Sequence, residues 1–213
     1  MTWVAEFPRQ QMMRMYATLA VLLVVCTTSA SAQGLGKGVR GGVNFSTTNT
    51  TIEGDSSSLD WELRGVFGGF VTWRAFSWIE LQPEVLYSMK GAKHEEFDIV
   101  SKLLLDYLDV PVLARISRGS ATARSWYVVG GPSFGYLLRA RTRADFGSAI
   151  EEIDIIDDME RFDLAIVGGA GLEFRRILID GRYSHGLSNI DKLSGNDGKG
   201  TNRAVSVTVG YKF

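Results

Sequence analysis

The sequence predicts an all-β fold: an eight-stranded antiparallel up-and-down transmembrane β-barrel, preceded by a signal peptide. Three observations predict it. After Gln33, apolar and polar residues alternate with a period of two along most of the chain, the pattern of strands with two chemically different faces. Short turns alternate with long polar connections, and aromatic residues gather at both ends of the apolar faces. That asymmetry and those two girdles belong to a barrel held in a bilayer. A chain of 213 residues is long enough for one such barrel.

Residues 1–32 read as an address. Ala17 to Cys26 form an apolar run behind Arg9 and Arg14 and ahead of TTSASAQ. This is the charged, apolar and small-residue order of a secretory signal. The run falls short of the roughly 20 apolar residues a spanning helix needs. Cleavage after Ala32 fits the small-x-small rule and removes Cys26, the only cysteine. Lipidation at Cys26 is the rival reading, but Val25 is not the small residue that usually precedes a lipidated cysteine. Glu6 and Pro8 lengthen the leading region, so translation starting at Met12, Met13 or Met15 stays open beside Met1.

The expected barrel domain, 33–213, holds strands at 37–46, 61–73, 79–91, 102–117, 125–141, 161–175, 177–187 and 202–213. Each supplies the roughly 9 to 11 residues of a tilted spanning strand. The first and second carry the Gly-pair segments RGGVNF and FGGFVTW. In the third, Ile79, Leu81, Pro83, Val85, Tyr87 and Met89 oppose Glu80, Gln82, Glu84, Leu86, Ser88 and Lys90. The fourth pairs with it about the 92–101 connection. The fifth and sixth repeat the Gly pair as VGGPSFGY and VGGAGLEF. In the seventh, Ile177, Ile179, Gly181 and Tyr183 alternate with Asp180, Arg182 and Ser184. The last sets Val205, Val207, Val209, Tyr211 and Phe213 against Ala204, Ser206, Thr208, Gly210 and Lys212.

Connections 74–78, 118–124 and 175–177 are short; 47–60, 92–101, 142–160 and 188–201 are longer and polar. Phe45, Trp61, Tyr87, Tyr136 and Phe162 fall toward the long-loop end, and Trp73, Trp126, Phe174, Tyr211 and Phe213 toward the short-turn end. A soluble barrel also alternates, with its apolar residues inside. The secretion signal, the two-ended aromatics and the closing Phe213 favour the membrane. The Gly pairs read as relief of crowding where strands bend. None is followed by GK[ST], as a phosphate loop would require.

Several function classes drop out. A formal charge of -1 gives no electrostatic basis for nucleic-acid binding. One cysteine and two histidines exclude a disulfide framework and a structural zinc site. Ser184 and His185 are adjacent on a strand, so their side chains diverge and cannot form a nucleophile and base. His185 reads as an interfacial residue and His94 as a loop residue. The acidic run through Glu151, Glu152, Asp154, Asp157, Asp158 and Glu160 lacks calcium-loop spacing. The Asn44 and Asn49 sequons read as chance. No cofactor is expected.

An eight-stranded barrel has an interior just wide enough for side chains to fill. The inward set contains Arg40, Arg64, Glu80, Glu84, Lys90, Asp109, Arg115, Arg139, Arg141, Asp163, Glu173, Asp180 and Arg182. Both signs are present, and charges in a narrow interior must pair. Register about the loops places Glu80 opposite Arg115, and Arg139 opposite Asp163. The expectation is a salt-bridged plug; a proton or ion path is the alternative.

GVRGGVNFS, LQPEVLYSMKGAK at 81–93, LDYLDVPVLARI at 105–116, YVVGGPSFGYLL at 127–138 and NRAVSVTVGYKF resemble the PorT-type outer-membrane β-barrel family of diderm bacteria. The resemblance covers nearly the whole chain after the signal and is most specific in LQPEVLYSMKG and YLDVPVL. It implies an eight-stranded monomeric barrel inserted in the outer membrane by the barrel-assembly machinery, which reads a C-terminal aromatic strand; here Tyr211 and Phe213 carry that signal. It implies no single activity, and the named member is linked to a protein secretion system. The expected partners are outer-membrane lipid, the assembly machinery and secretion-complex proteins, with no nucleic acid. Four functions stay open: a non-enzymatic barrel whose long external loops contact a surface or partner, a component of a secretion or envelope-assembly complex, a lipid-modifying enzyme, and a soluble periplasmic ligand-binding barrel.

Overall fold

A computed structural model describes residues 35–52, 55–58, 60–76, 78–96, 99–120, 124–145, 150–190 and 198–213. The expected signal peptide, its cleavage site, Cys26 and the alternative starts lie outside the described residues. The strands are β1 (Leu35–Ile52), β2 (Asp55–Ser58), β3 (Asp60–Arg74), β4 (Ile79–Glu96), β5 (Ile99–Ser120), β6 (Arg124–Asp145), β7 (Ile150–Asp154), β8 (Phe162–Phe174), β9 (Ile177–Gly186) and β10 (Gly198–Lys212). A single 3-10 turn, Ile156–Asp158, lies between β7 and β8. Each long strand pairs antiparallel with its neighbour, and β10 pairs with β1, so eight long strands close into a barrel. The short β2 and β7 fold back on the ends of β1 and β6.

Most described residues of the polar connections are thus not irregular loops but continuations of the ladder: 47–52, 55–58, 92–96, 99–101, 142–145 and 150–154 are all strand. β4 and β5 stay paired out to Glu96 and Ile99. Thr47, Thr48, Thr50 and Thr51 continue β1 against β10, and β-branched residues fit a pleated strand whether or not lipid surrounds it. Composition marked the end of the apolar band, and the ladder runs past it.

One cross-strand row fixes the geometry. It passes from Trp126 through Leu172, Ile179, Val209, Gly41, Phe67, Tyr87 and Leu108, and returns to β6 at Tyr136, ten residues beyond its start. A stagger of ten residues over eight strands, with ordinary strand spacings, tilts the strands by about 40°. Corrected for that stagger, Trp73, Trp126, Phe174 and Phe213 share one height. Phe45, Tyr136 and Phe162 share another, about ten residues higher along the strands, or roughly 25 Å along the axis. That separation is the height of an outer-membrane apolar band.

Between the two aromatic levels the outward face is apolar and exposed: Val39 and Val43 on β1, Phe67 on β3, Phe134 on β6, Ile166 on β8, Ile179 on β9, and Val207 and Val209 on β10. Inside, Arg40, Glu84, Asp109, Arg115, Asp163, Glu173, Asp180 and Arg182 are buried. The polarity is inverted relative to a water-soluble barrel. An exposed apolar surface of this extent requires hydrocarbon around it.

In each Gly pair one member faces inward against a neighbouring backbone. A Cβ on Gly42 would lie 2.0 Å from the Val207 carbonyl oxygen, and one on Gly131 2.2 Å from that of Val112. Their partners Gly41 and Gly130 meet nothing closer than 3.8 Å. Strands bent this tightly leave no room for an inward side chain at those points.

Candidate functional site

The lumen is the site, and its charges stack in layers. In the middle layer Arg40 comes from β1, Glu84 from β4, and Asp180 and Arg182 from β9. All four point inward because their strands keep strict alternation there. The Arg182 guanidinium donates to both Glu84 oxygens at 2.8 and 3.1 Å, and its Nε donates to Asp180 Oδ1 at 2.8 Å. Arg40 Nη1 lies 3.1 Å from Asp180 Oδ2, and its Nη2 lies 3.5 Å from Glu84 Oε1. Tyr127 Oη and Thr208 Oγ1 donate to Asp180 at 2.6 and 2.9 Å, and Gln82 Nε2 donates to Glu84 at 2.6 Å. The result is a neutral two-plus-two cluster with its carboxylates saturated, the condition under which buried charges are tolerated. Fork geometry makes arginine the residue for such pairing.

Toward the short turns Arg115 is 1 % exposed. It pairs with Glu173, lies with its Nε 3.8 Å from Glu80, and stacks 3.9 Å over the Tyr127 ring. Glu80 also meets Arg74 at 3.7 Å. Toward the long-loop end Lys90 pairs with Asp109 at 3.0 Å and lies 4.6 Å over the Tyr107 ring. Asp163 accepts from Asn202 Nδ2 at 3.0 Å and from Ser188 Oγ at 2.9 Å. Above this layer the β5–β6 side of the lumen turns apolar: Met159 and Ile190, from the segments after β7 and β9, are buried against Leu105, Tyr107, Leu137 and Ala140. The β1–β10 side stays polar, with Ser46, Thr48 and Asn202 buried.

A model of the outer membrane protein beta-barrel domain matches residues 29–192. The chain belongs to that family. Members of the family are outer-membrane barrels, so the apolar wall and charged lumen are those of an integral outer-membrane protein. Similar solved structures include Ail, the attachment invasion locus protein of Yersinia pestis (15% identity, TM-score 0.42, 84% of this chain and 99% of that one). Neisserial surface protein A is 12% identical, with a TM-score of 0.43 and coverage of 84% and 99%. OprG of Pseudomonas aeruginosa is 10% identical, with a TM-score of 0.44 and coverage of 84% and 96%. No curated protein sequence matches the chain.

Of the residues the sequence assigned to the lumen of this family member, Arg40, Glu84, Asp180 and Arg182 meet in one cluster. Glu80, Arg115 and Glu173 meet in a second. Asp109 pairs with Lys90, and Asp163 sits among neutral donors. Glu80 lies opposite Arg115 in the β4–β5 register, as expected. Arg139 does not belong. It is exposed, and Asp163 faces Gly135 instead. Asp163 changes partner because the β6–β8 register runs four residues from the expected one; Arg139 turns out because of a β-bulge, where Asp106 pairs with Arg139 but Tyr107 with Leu137, so one residue of β6 is skipped. The extra residue inverts the alternation beyond Leu137, the last inward residue of the regular phase, burying Ala140 and turning Arg139 outward. Arg141 lies beyond the same bulge and pairs with Glu152 of β7.

The sequence reading missed the neutral partners Gln82, Tyr107, Tyr127, Asn202 and Thr208, which satisfy the carboxylates. Each lies in the inward phase of its strand, so the alternation that found the charges also contained these residues. Met159 and Ile190 had no such signal, because they come from connections without a period. His185 lies with its Nδ1 3.4 Å from Tyr183 Oη, while Ser184 takes the other phase. The His94 side chain lies outside the described residues. In the acidic stretch, Glu152 is engaged by Arg141, Asp154 accepts from the Ile156 amide at 3.0 Å, and Asp157 lies 3.7 Å from Arg161.

Proposed function

We propose that this protein is a non-enzymatic, non-conducting outer-membrane barrel that acts through the strand extensions it raises beyond the bilayer at its long-loop end. One observation carries the reading: the lumen is filled at mid-height by paired charges, Arg40 and Arg182 with Glu84 and Asp180. Function is then left to the outer rim. β5 and β6 each have 22 residues, about twice what the apolar band requires, so their paired ends stand clear of the membrane as a contact surface. In this reading Arg40, Glu80, Glu84, Asp109, Arg115, Asp163, Glu173, Asp180 and Arg182 hold the barrel closed, and Tyr211 and Phe213 serve its assembly. Purified protein in planar bilayers is expected to give no conductance steps. Steady conductance of the unaltered protein contradicts the reading. Replacing His94 and His185 with Ala should leave lipid A composition unchanged; an altered composition would support a lipid-modifying enzyme instead.

The PorT-type resemblance of LQPEVLYSMKG and YLDVPVL favours a second reading, a subunit of a secretion or envelope-assembly complex. A pull-down from native membranes separates the two: a stoichiometric partner set supports the complex, and an isolated monomer removes it.

A further inference from the structure

Among the described residues, the exposed charged side chains at the short-turn end are all positive. Lys37 on β1, Arg74 at the end of β3, Arg118 on β5, Arg124 at the start of β6, and Arg175 and Arg176 in the β8–β9 turn are all exposed. Lys212 of β10 adds a half-exposed seventh cation, 3.7 Å from Glu173. The described acidic side chains at this level are Glu173, which is buried in the lumen, and Glu80, which is shared between Arg74 and Arg115. Among the described residues, Lys37, Arg118, Arg124, Arg175 and Arg176 have no carboxylate partner. At the opposite end the two signs interleave: Lys102 pairs with Glu62, Arg141 with Glu152, and Arg161 with Asp157.

Position adds to sign. Corrected for the strand stagger, these cations lie within about two residues of the height of Trp73, Trp126, Phe174 and Phe213, and they occur all round the circumference. Arg175 also holds a backbone φ of 57°, the left-handed region where Gly or Asn is the usual choice and a long side chain is disfavoured. A cation kept there at conformational cost points to a use for its charge. A protein partner would call for a patch on one side; a ring at the level of an aromatic girdle fits something that surrounds the barrel.

We propose that this ring binds the anionic headgroups of phospholipids in the leaflet at the short-turn end. The inference rests on the outer-membrane reading and adds lipid selectivity to it. Guanidinium forks match phosphate oxygens, basic residues beside a membrane concentrate anionic lipid, and the girdle holds both at headgroup depth.

Trp73, Trp78 and Trp126 stand at the ring, so their fluorescence reads the adjacent lipid. The test uses protein purified from outer membranes, carrying Trp61→Phe to silence the far end, in vesicles of phosphatidylcholine with a minor fraction of brominated lipid. Brominated phosphatidylglycerol is expected to quench roughly twice as strongly as brominated phosphatidylcholine at the same fraction. The preference should vanish when Arg118, Arg124 and Arg176 are replaced by Ala and Arg175 by Gly, with the barrel's gel shift on boiling retained. If that variant does not fold, raising salt on the unaltered ring should abolish the preference. Equal quenching by the two lipids, or a preference that survives both treatments, overturns the proposal and leaves an acidic protein partner as the ring's ligand. Quenching by neither lipid contradicts the membrane reading itself.

Discussion

Arg182 bridges Glu84 and Asp180 at 2.8 Å each, closer than Arg40, which also touches both. Take its guanidinium away and Glu84 and Asp180 face each other with only Arg40 to neutralise both, in an interior that cannot solvate the excess charge. Breaking a buried pair from one side typically costs about 3–5 kcal/mol. Arg182→Ala should lose that much in urea unfolding of the barrel in vesicles, and Arg182→Lys should recover only part, because an ammonium cannot bridge Glu84 bidentately. A loss below about 0.5 kcal/mol, the range of an ordinary surface change, would show that the lumen is hydrated and the cluster dispensable. Arg139 gives the opposite expectation. Turned outward by the bulge, it should tolerate Ala within about 0.5 kcal/mol in the same assay; a loss as large as that for Arg182 would return it to the lumen and remove the bulge.

At the scale of the strand, the inward glycines set how tightly the wall can curve. Gly131→Ala would push a methyl into the Val112 carbonyl 2.2 Å away, and forcing atoms into a packed interior costs about 1–3 kcal/mol. Gly168, on the lipid side of β8, has nothing within 4 Å of an added Cβ, and Gly168→Ala should be neutral or slightly stabilising. Denaturant midpoints of the two variants in vesicles check the contrast, and equal losses would count against it. This scale also shows what the sequence made legible. The two faces of β4, β8, β9 and β10 follow from alternation, because with lipid outside and charge inside a one-residue slip would bury every apolar group. Alternation alone turns Arg139 inward, because a bulge adds a residue without any mark in composition. The polar connections looked like loops because β-branched residues outside the bilayer carry no apolar face to count. The packing of Met159 and Ile190 against β5 and β6 depends on contacts between segments far apart in the chain, which no local period encodes.

The whole molecule rests on one inversion: hydrocarbon outside, paired charge within. Val207 stands about midway between the two aromatic levels and faces outward, 47 % exposed. Its neighbour Thr208 faces the lumen and donates to Asp180 at 2.9 Å. The adjacent positions share one strand and one local propensity, and differ only in the medium they meet. The most direct measurement is urea unfolding of the barrel refolded in lipid vesicles, comparing Val207→Arg with Phe213→Arg at the headgroup level and with Thr208→Ser in the lumen. The expected losses are about 2–4 kcal/mol for Val207→Arg, about 0–1 kcal/mol for Phe213→Arg, and little for Thr208→Ser, which keeps the hydroxyl. An arginine at position 207 that costs no more than one at position 213 would mean that the Val207 face meets water, and the transmembrane barrel would be contradicted.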